Sequence, residues 1–592
     1  MKNINKIAAI IVGMSLFSCN KDYLDISPKD RLTTASAFFT YENIKTYAWQ
    51  FYEVFPAYDQ SLLNTEQHTD LGAISRKNSE SPWIWQKIVI PTNSNDYTIP
   101  FQNIRAINIM LENLDQAKIS DTDKKHWRSV AYFFKAYNYA ELVNKYGDIT
   151  WVEHNLQDDD QETLLGPRTP RDEVTKKILE LLQFAEANIK PAGDGVNTIN
   201  VHVVRALISR FGLREGTWRK YHGLSDADTY LNASVTASEQ LLTAFPKIMT
   251  NYSDVFNSIS LAGKDGIILY KQYEINQVVH VLSTWPKSSS GRWDLTRKTI
   301  DMYLMKDGQT RWTSPTFEGD DSPYKEFRNR DNRLYVTTPP PYKVIVVGSA
   351  STFTFTTDPT DREYFDFMDA LSPDGMKALP MRNWNASVVF KVPHFDDNNG
   401  GQPFDVTYTG YQLFKFSSRL NEKISSKDIN DAPIFRIEEV MLNYAEAKKE
   451  LGEFDQTICD NTINKLRARG SVASLGLANI PNDPTRDPTV DPEMWEIRRE
   501  RSVELIGEGF RFDDLRRWKK MEYATERKLG MWIVKADEIN KVPTLNNADA
   551  GYVSYEGIPP TPFPDYYYLY PIPSNQIILS KGIVEQNPGW EQ

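Results

Sequence analysis

Residues 127–146 constrain the fold more than any other stretch. Read as a helix, WRSVAYFFKAYNYAELVNKY is apolar and aromatic on more than one side. Such a helix needs neighbours around it rather than one core beneath it. Other segments supply candidates. Ile104, Ile107, Leu111 and Leu114 recur at helical spacing, as do Ile178, Leu181, Leu182 and Ala185, and then Val204, Leu207, Ile208 and Phe211. Thr169-Pro170-Arg171-Asp172 predicts a helix start, with Thr169 as N-cap, Pro170 at the first helical position and Asp172 placed for a capping box.

Between residues 265 and 432 the pattern changes. Pro, Gly, Ser, Thr and Asn rise, and short β-like runs appear at residues 342–347 and 387–392. Helical periodicity returns with Ile437, Val440, Met441, Tyr444 and Ala445, followed by helices near residues 457–469 and 495–508. Near the end, Pro571 and Pro573 exclude helix and predict an extended segment. The expected fold is mainly α: a scaffold of degenerate helix pairs interrupted by an irregular, loop-rich insertion with a few short strands. No strict repeat period is present.

The N-terminus reads as an export signal. Lys2 and Lys6 precede an apolar run at residues 7–17, too short to span a bilayer, and the run ends in Leu16-Phe17-Ser18-Cys19. That ending resembles a bacterial lipobox, so Cys19 is the expected lipidation site. The following Asn20-Lys21-Asp22 resembles a signal for export to the outer face of the outer membrane. With Cys19 acylated, the other cysteine, Cys459, is left unpaired and reads as a small buried hydrophobe. Acyl chains alone would then hold the protein to the membrane.

Charge and motifs narrow the function. The net charge is −11 and no basic cluster stands out, which gives no support for a nucleic-acid partner. Residues 496–520 interleave six arginines with six acids, a pattern expected to satisfy itself through i,i+4 pairs and forks between helices. The seven histidines are scattered singly, and neither a metalloprotease pair, a nucleophile elbow nor a phosphate loop is present. Asp396-Asp397-Asn398-Asn399-Gly400 lacks the alternating spacing of a calcium loop and reads as a turn. No enzyme, metal or cofactor is expected.

Several blocks, in order, carry a resemblance. They are the lipobox followed by YLDISPKDRLT, SVAYFFKAYNYAELVNKYGDITWV, TPRDEVTKKILELL, RFGLREGTWRKYHG, TIDMYLMKDG and YKEFRNRDNRLYVT. FRIEEVMLNYAEAKKELG, EIRRERSVELIGEGFRFDDLRRWKK, YLYPIPSNQIILSKG and a terminal QNPGW complete the series. Together they resemble the SusD/RagB family of Bacteroidetes outer-membrane lipoproteins. The resemblance implies tetratricopeptide-like helix pairs, a SusC-like TonB-dependent transporter as partner, oligosaccharide (in some branches peptide) as cargo, and no catalytic site. The expected parts are a signal peptide at 1–18, a helical part at 19–264, a candidate ligand-binding insertion at 265–432 and a return to the scaffold at 433–592. A lipid-anchored glycoside hydrolase is the alternative from another class. Two carboxylates converging beside stacking rings would favour it.

Sugar rings stack their C–H faces on aromatic side chains, so the candidate site is aromatic. Trp83 and Trp85 lie in a short loop, while Trp285, Trp293 and Trp312 lie in the insertion near Arg292, Asp294 and Gln309. Each of these indoles could equally pack into the core. Trp127, Trp218 and Trp518 fall in helical blocks and are assigned to the scaffold.

Overall fold

The computed structural model describes residues 38–73, 80–157, 159–284, 293–381, 387–395, 406–419, 427–538 and 542–591. Helix α1 spans Tyr41–Ala48, followed by α2 (Asn95–Leu114), α3 (Asp121–Tyr146), α4 (Arg171–Asn188), α5 (Val201–His222) and α6 (Ala227–Ala244). Helix α3 contains the 127–146 stretch and packs against α2 on one side and α4 on another, so it is buried on several faces. The α5–α6 pair is closer than ordinary side chains permit. A Cβ added at Gly212 would lie 2.6 Å from the Tyr230 carbonyl, and one at Gly216 would lie 2.7 Å from the Leu231 side chain.

Helix α4 begins one residue later than the motif predicts. Thr169 does not cap it; its hydroxyl accepts the Trp151 N–H at 3.0 Å, and its backbone bridges to Ile149. Asp172 pairs with Arg219 instead of closing a capping box. The chain here serves a tertiary contact, which outweighs the local cap.

Strand β1 (Gly72–Ala73) pairs with β3 (Asp294–Leu295), and β2 (Ile267–Lys271) pairs antiparallel with β7 (Ala432–Arg436). The second pairing makes the loop-rich segment leave and rejoin the scaffold at one place. Within it, β4 (Tyr342–Val347) is the centre of a three-stranded antiparallel sheet with β5 (Ser349–Phe355) and β6 (Ser387–Val392). Tyr342, Val344 and Val346 face the core while Ile345 and Val347 face out, the period of two expected for a half-buried strand. After β7 come α7 (Ile437–Glu450), α8 (Gln456–Asn461), α9 (Ile463–Arg469), α10 (Pro492–Leu505) and α11 (Arg511–Arg517). The single helix expected near 457–469 is broken at Thr462, whose backbone leaves the helical region (φ −124, ψ −84). A hairpin of β8 (Trp532–Val534) and β9 (Ala550–Tyr552) follows; the end is extended only at residues 569–573, between a 3₁₀ turn at Asp565–Tyr568 and a short helix at Ser574–Leu579.

The charge block of 496–520 is buried rather than solvated. Glu504 receives Arg333 at 3.1 Å, Arg436 at 2.6 Å and Arg469 at 2.5 Å. Arg517 makes a bidentate pair with Glu446, and Arg511 with Asp70. Within the block, Arg499–Glu496, Arg516–Asp513 and Arg517–Asp514 are i,i+3 pairs and Arg501 reaches Asp514 between α10 and α11; other partners, such as Asp70, Arg333, Arg436, Glu446 and Arg469, come from outside it. Burial pushes the Glu504 carboxyl up, but the three guanidinium groups override this and hold it below its ordinary value. Cys459 is fully buried and its thiol is pushed up to about 12 by burial, consistent with a packing role. Trp127, Trp218 and Trp518 lie in the core, as their helical blocks predict. Among the described residues no helix is long and apolar enough to cross a membrane.

Candidate functional site

A tight turn after the short helix Arg297–Met302 presents one indole to solvent. Asp307 accepts the Gln309 N–H at 3.0 Å and the Ser314 hydroxyl at 2.6 Å, while the Ser314 N–H reaches the Thr310 carbonyl at 3.0 Å. These bonds lift Trp312 to the crest, where it is 46% exposed. Beneath it, the buried Arg311 guanidinium lies 3.5 Å from the ring centre. A guanidinium stacked on one face fixes the indole and leaves the other face open.

Arg311 is itself held by Asp301 at 2.7 Å and Asp320 at 2.8 Å. Asp320 also accepts Arg297 at 2.7 Å and the Tyr552 hydroxyl at 2.7 Å. Burial works against ionisation of Asp320, yet Tyr552 and the two arginines hold its carboxyl below the ordinary value. Tyr552 pairs directly with Trp532 across the β8–β9 hairpin, so the two half-buried rings share one face. Half-buried Phe317 lies 5.7 Å from the Arg311 guanidinium. A cleft of about 210 Å³ adjoins, lined by Trp532, Tyr324, Lys343 and Asp321 among others. The result is an exposed indole over a cluster of charged hydrogen-bonding groups, with Phe317 and Tyr552 tied to that cluster, a platform suited to a ring with apolar faces and polar rims.

Asp320 and Glu326 are not arranged as a glycosidase pair. Such a pair needs one acid held protonated and facing the ligand. Asp320 is held ionised by its arginines, whereas Glu326, which burial pushes up, is fully buried against Arg297 and Tyr411. Among the described residues no cluster of three or more His, Cys, Asp or Glu could hold a metal ion.

The other residues singled out by sequence are dispersed. Trp83 is 6% exposed, with Phe512, Tyr567 and Tyr570 around its ring. Trp293 is 5% exposed and donates its Nε1–H to Asn64 at 3.3 Å. Asp294 is buried, and its Oδ2 accepts the Tyr408 and Thr409 N–H groups. These three are internal: the core takes the large rings of Trp83 and Trp293 from loops as well as helices, and Asp294 is spent on backbone N–H groups. Trp85 is half-buried against Gly557, with Lys87 5.3 Å from its ring. Gln309 is half-buried on the Trp312 turn. Trp285, Arg292 and Cys19, with the Asp396–Gly400 turn, lie outside the described residues. The structure therefore brings Trp312 and Gln309 together and adds Arg311, Phe317, Asp320, Trp532 and Tyr552. The Asp320–Tyr552 bond joins positions 232 residues apart, a pairing that no local pattern announces.

Comparison with known proteins agrees with this architecture. The family described as SusD family matches residues 256–590, more than half of the chain, and the one described as starch-binding associating with outer membrane matches residues 22–211. A SusD-like protein from Bacteroides fragilis superposes with a TM-score of 0.65 at 19% identity, over 93% of this chain and 97% of that one. A SusD superfamily protein from Parabacteroides distasonis gives 0.60 at 15% identity, over 94% and 100%. Surface glycan-binding protein A from Bacteroides thetaiotaomicron, in complex with laminarihexaose, gives 0.54 at 16% identity, over 93% and 99%. At these identities the superpositions establish the fold. A search of curated proteins finds no sequence match. The family match over more than half its length, with the tetratricopeptide-like helical fold of these structures, shows that the chain belongs to the SusD family.

Proposed function

We propose that this protein is a cell-surface lipoprotein that binds oligosaccharide at the Trp312 platform without cleaving it. It passes the glycan to a SusC-like TonB-dependent transporter in the outer membrane. The observation that carries this reading is the exposed Trp312 indole seated on the Arg311 guanidinium, with Tyr552 tied to the same charge cluster through Asp320. Binding energy for a sugar comes from stacking and hydrogen bonds, and a platform fixed before the ligand arrives loses little entropy on binding. The laminarihexaose complex of a protein of the same fold supports the choice of ligand class. In this reading Cys19 carries the lipid, the helix pairs are the scaffold, and the ligand face draws on the 265–432 insertion and on the later β8–β9 hairpin.

The test is a panel of oligosaccharides offered to the purified protein, with binding read by calorimetry and chain length by chromatography. The proposal expects binding of at least one glycan with its length unchanged. Shortened products, or no binding across the panel, would overturn it.

A further inference from the structure

Behind the platform lies a cavity of about 350 Å³, between the helix Arg297–Met302 and residues 523–529. Arg297 and Asp301 line it and also hold the platform, so the two share a wall. Arg297 sits 5.0 Å from the Tyr552 ring centre.

Its charge balance is unusual for a chain of net charge −11. Two of its cations have no carboxylate partner among the described residues. Arg527 meets only the Glu556 carbonyl at 3.0 Å and the Ser554 hydroxyl at 3.5 Å. Lys528, only 9% exposed, meets the Gln67 carbonyl at 3.0 Å and the Gly72 carbonyl at 2.6 Å. A third, Lys298, stands over the Tyr523 ring 3.3 Å from Asp70 and 3.0 Å from Glu526. Asp70 is already engaged bidentately by Arg511, and the Glu526 side chain is 64% exposed, so neither neutralises the cavity fully. Burial lowers Lys528 against the pull of the Glu556, Asp70 and Glu66 carboxylates, none of which forms an ion pair with it. An oxyanion in the cavity would favour its charged form and give Arg527 a forked partner.

We propose that this cavity binds an anionic substituent of the glycan, a uronic carboxylate or a sulfate ester. The proposal rests on the glycan-binding reading. It adds that the cargo is acidic, a local preference opposite in sign to the protein's overall charge.

Two arms test it. In the first, sodium glucuronate and sodium sulfate are titrated at constant ionic strength into the purified protein and into Arg527→Gln and Lys298→Gln, with melting temperature as readout. Stabilisation of the parent by either anion, lost in both variants, is expected; equal shifts in all three proteins would overturn the anion site. In the second arm, calorimetry compares oligogalacturonate with its carboxyl-reduced form, and a chondroitin sulfate oligosaccharide with its desulfated form. At least one acidic chain should bind tenfold or more tightly than its neutralised partner, and Arg527→Gln should abolish that preference. Whichever pair shows it distinguishes carboxylate from sulfate. Equal affinity for both members of each pair would overturn the proposal while leaving neutral glycan binding intact. An anion-dependent shift in the first arm together with no binding of any oligosaccharide in the second would instead count against the glycan reading. Circular dichroism confirms that both variants fold.

Discussion

The guanidinium of Arg311 lies 3.5 Å from the centre of the Trp312 indole, with its own carboxylate partners, Asp301 and Asp320, on the protein side. The exposed ring is thus set on an internal ion-pair cluster rather than on a flexible loop alone. Arg311→Ala removes that support while keeping the indole. It should weaken glycan binding about tenfold, an energy of about 1.4 kcal/mol, by leaving the ring free to reorient. Calorimetry checks this; unchanged affinity in a folded variant would mean that the stack does not preorganise the site.

Glu504 tests the buried charge network. Glu504→Gln leaves Arg333, Arg436 and Arg469 facing a neutral amide in a region with almost no solvent access. Breaking a buried pair by removing one partner costs about 3–5 kcal/mol. Urea unfolding should show a loss in that range, and a loss below 1 kcal/mol would contradict the account.

Glu66 should make stability depend on pH. Burial pushes its carboxyl up to about 7, against the opposing pull of the Gly507 and Gly509 N–H groups and of Arg511 and Lys415. The folded protein therefore binds a proton more tightly than the unfolded chain. Stability from this group is fully present below the ordinary glutamate range and is lost as pH rises through about 7. Glu66→Gln, which can still accept the Gly507 N–H, should stabilise the protein by about 2–4 kcal/mol at pH 8 relative to the parent and very little at pH 4. Denaturation curves at the two pH values check the sign.

Cys19→Ala should release the protein from membranes. Stable anchoring needs about two acyl chains, and Cys19 is the only residue assigned to carry them. Fractionation of cells expressing the variant measures this, and full retention in the membrane fraction would contradict lipid anchoring.

The helices and strands were legible where a period repeats. The α2, α3 and α5 patterns and the runs that became β4 and β6 stand at the residues the sequence indicates. The Thr169 cap failed because the Thr169–Trp151 bond outweighs the local signal, and the helix at 457–469 is broken where the Thr462 backbone leaves the helical region, its hydroxyl donating to the Ile458 carbonyl. The charge block was legible as structural but not as buried, because interleaved signs look the same on a wet helix face and in a packed interior. Trp312 and Trp293 are both tryptophans of loop-rich sequence with polar neighbours, yet one is exposed and the other internal. Burial of a ring depends on residues distant in sequence, here Asn64 for Trp293 and Tyr552 for the Asp320 that braces Trp312.

The central claim is that Trp312 is the sugar-stacking ring. Calorimetry of Trp312→Ala against the glycan that the parent binds most tightly tests it directly. The account predicts a loss of roughly tenfold to a hundredfold in affinity, the scale of about 1.5–3 kcal/mol for a large apolar side chain, with the circular dichroism spectrum unchanged. A folded variant that binds that glycan as tightly as the parent would contradict it.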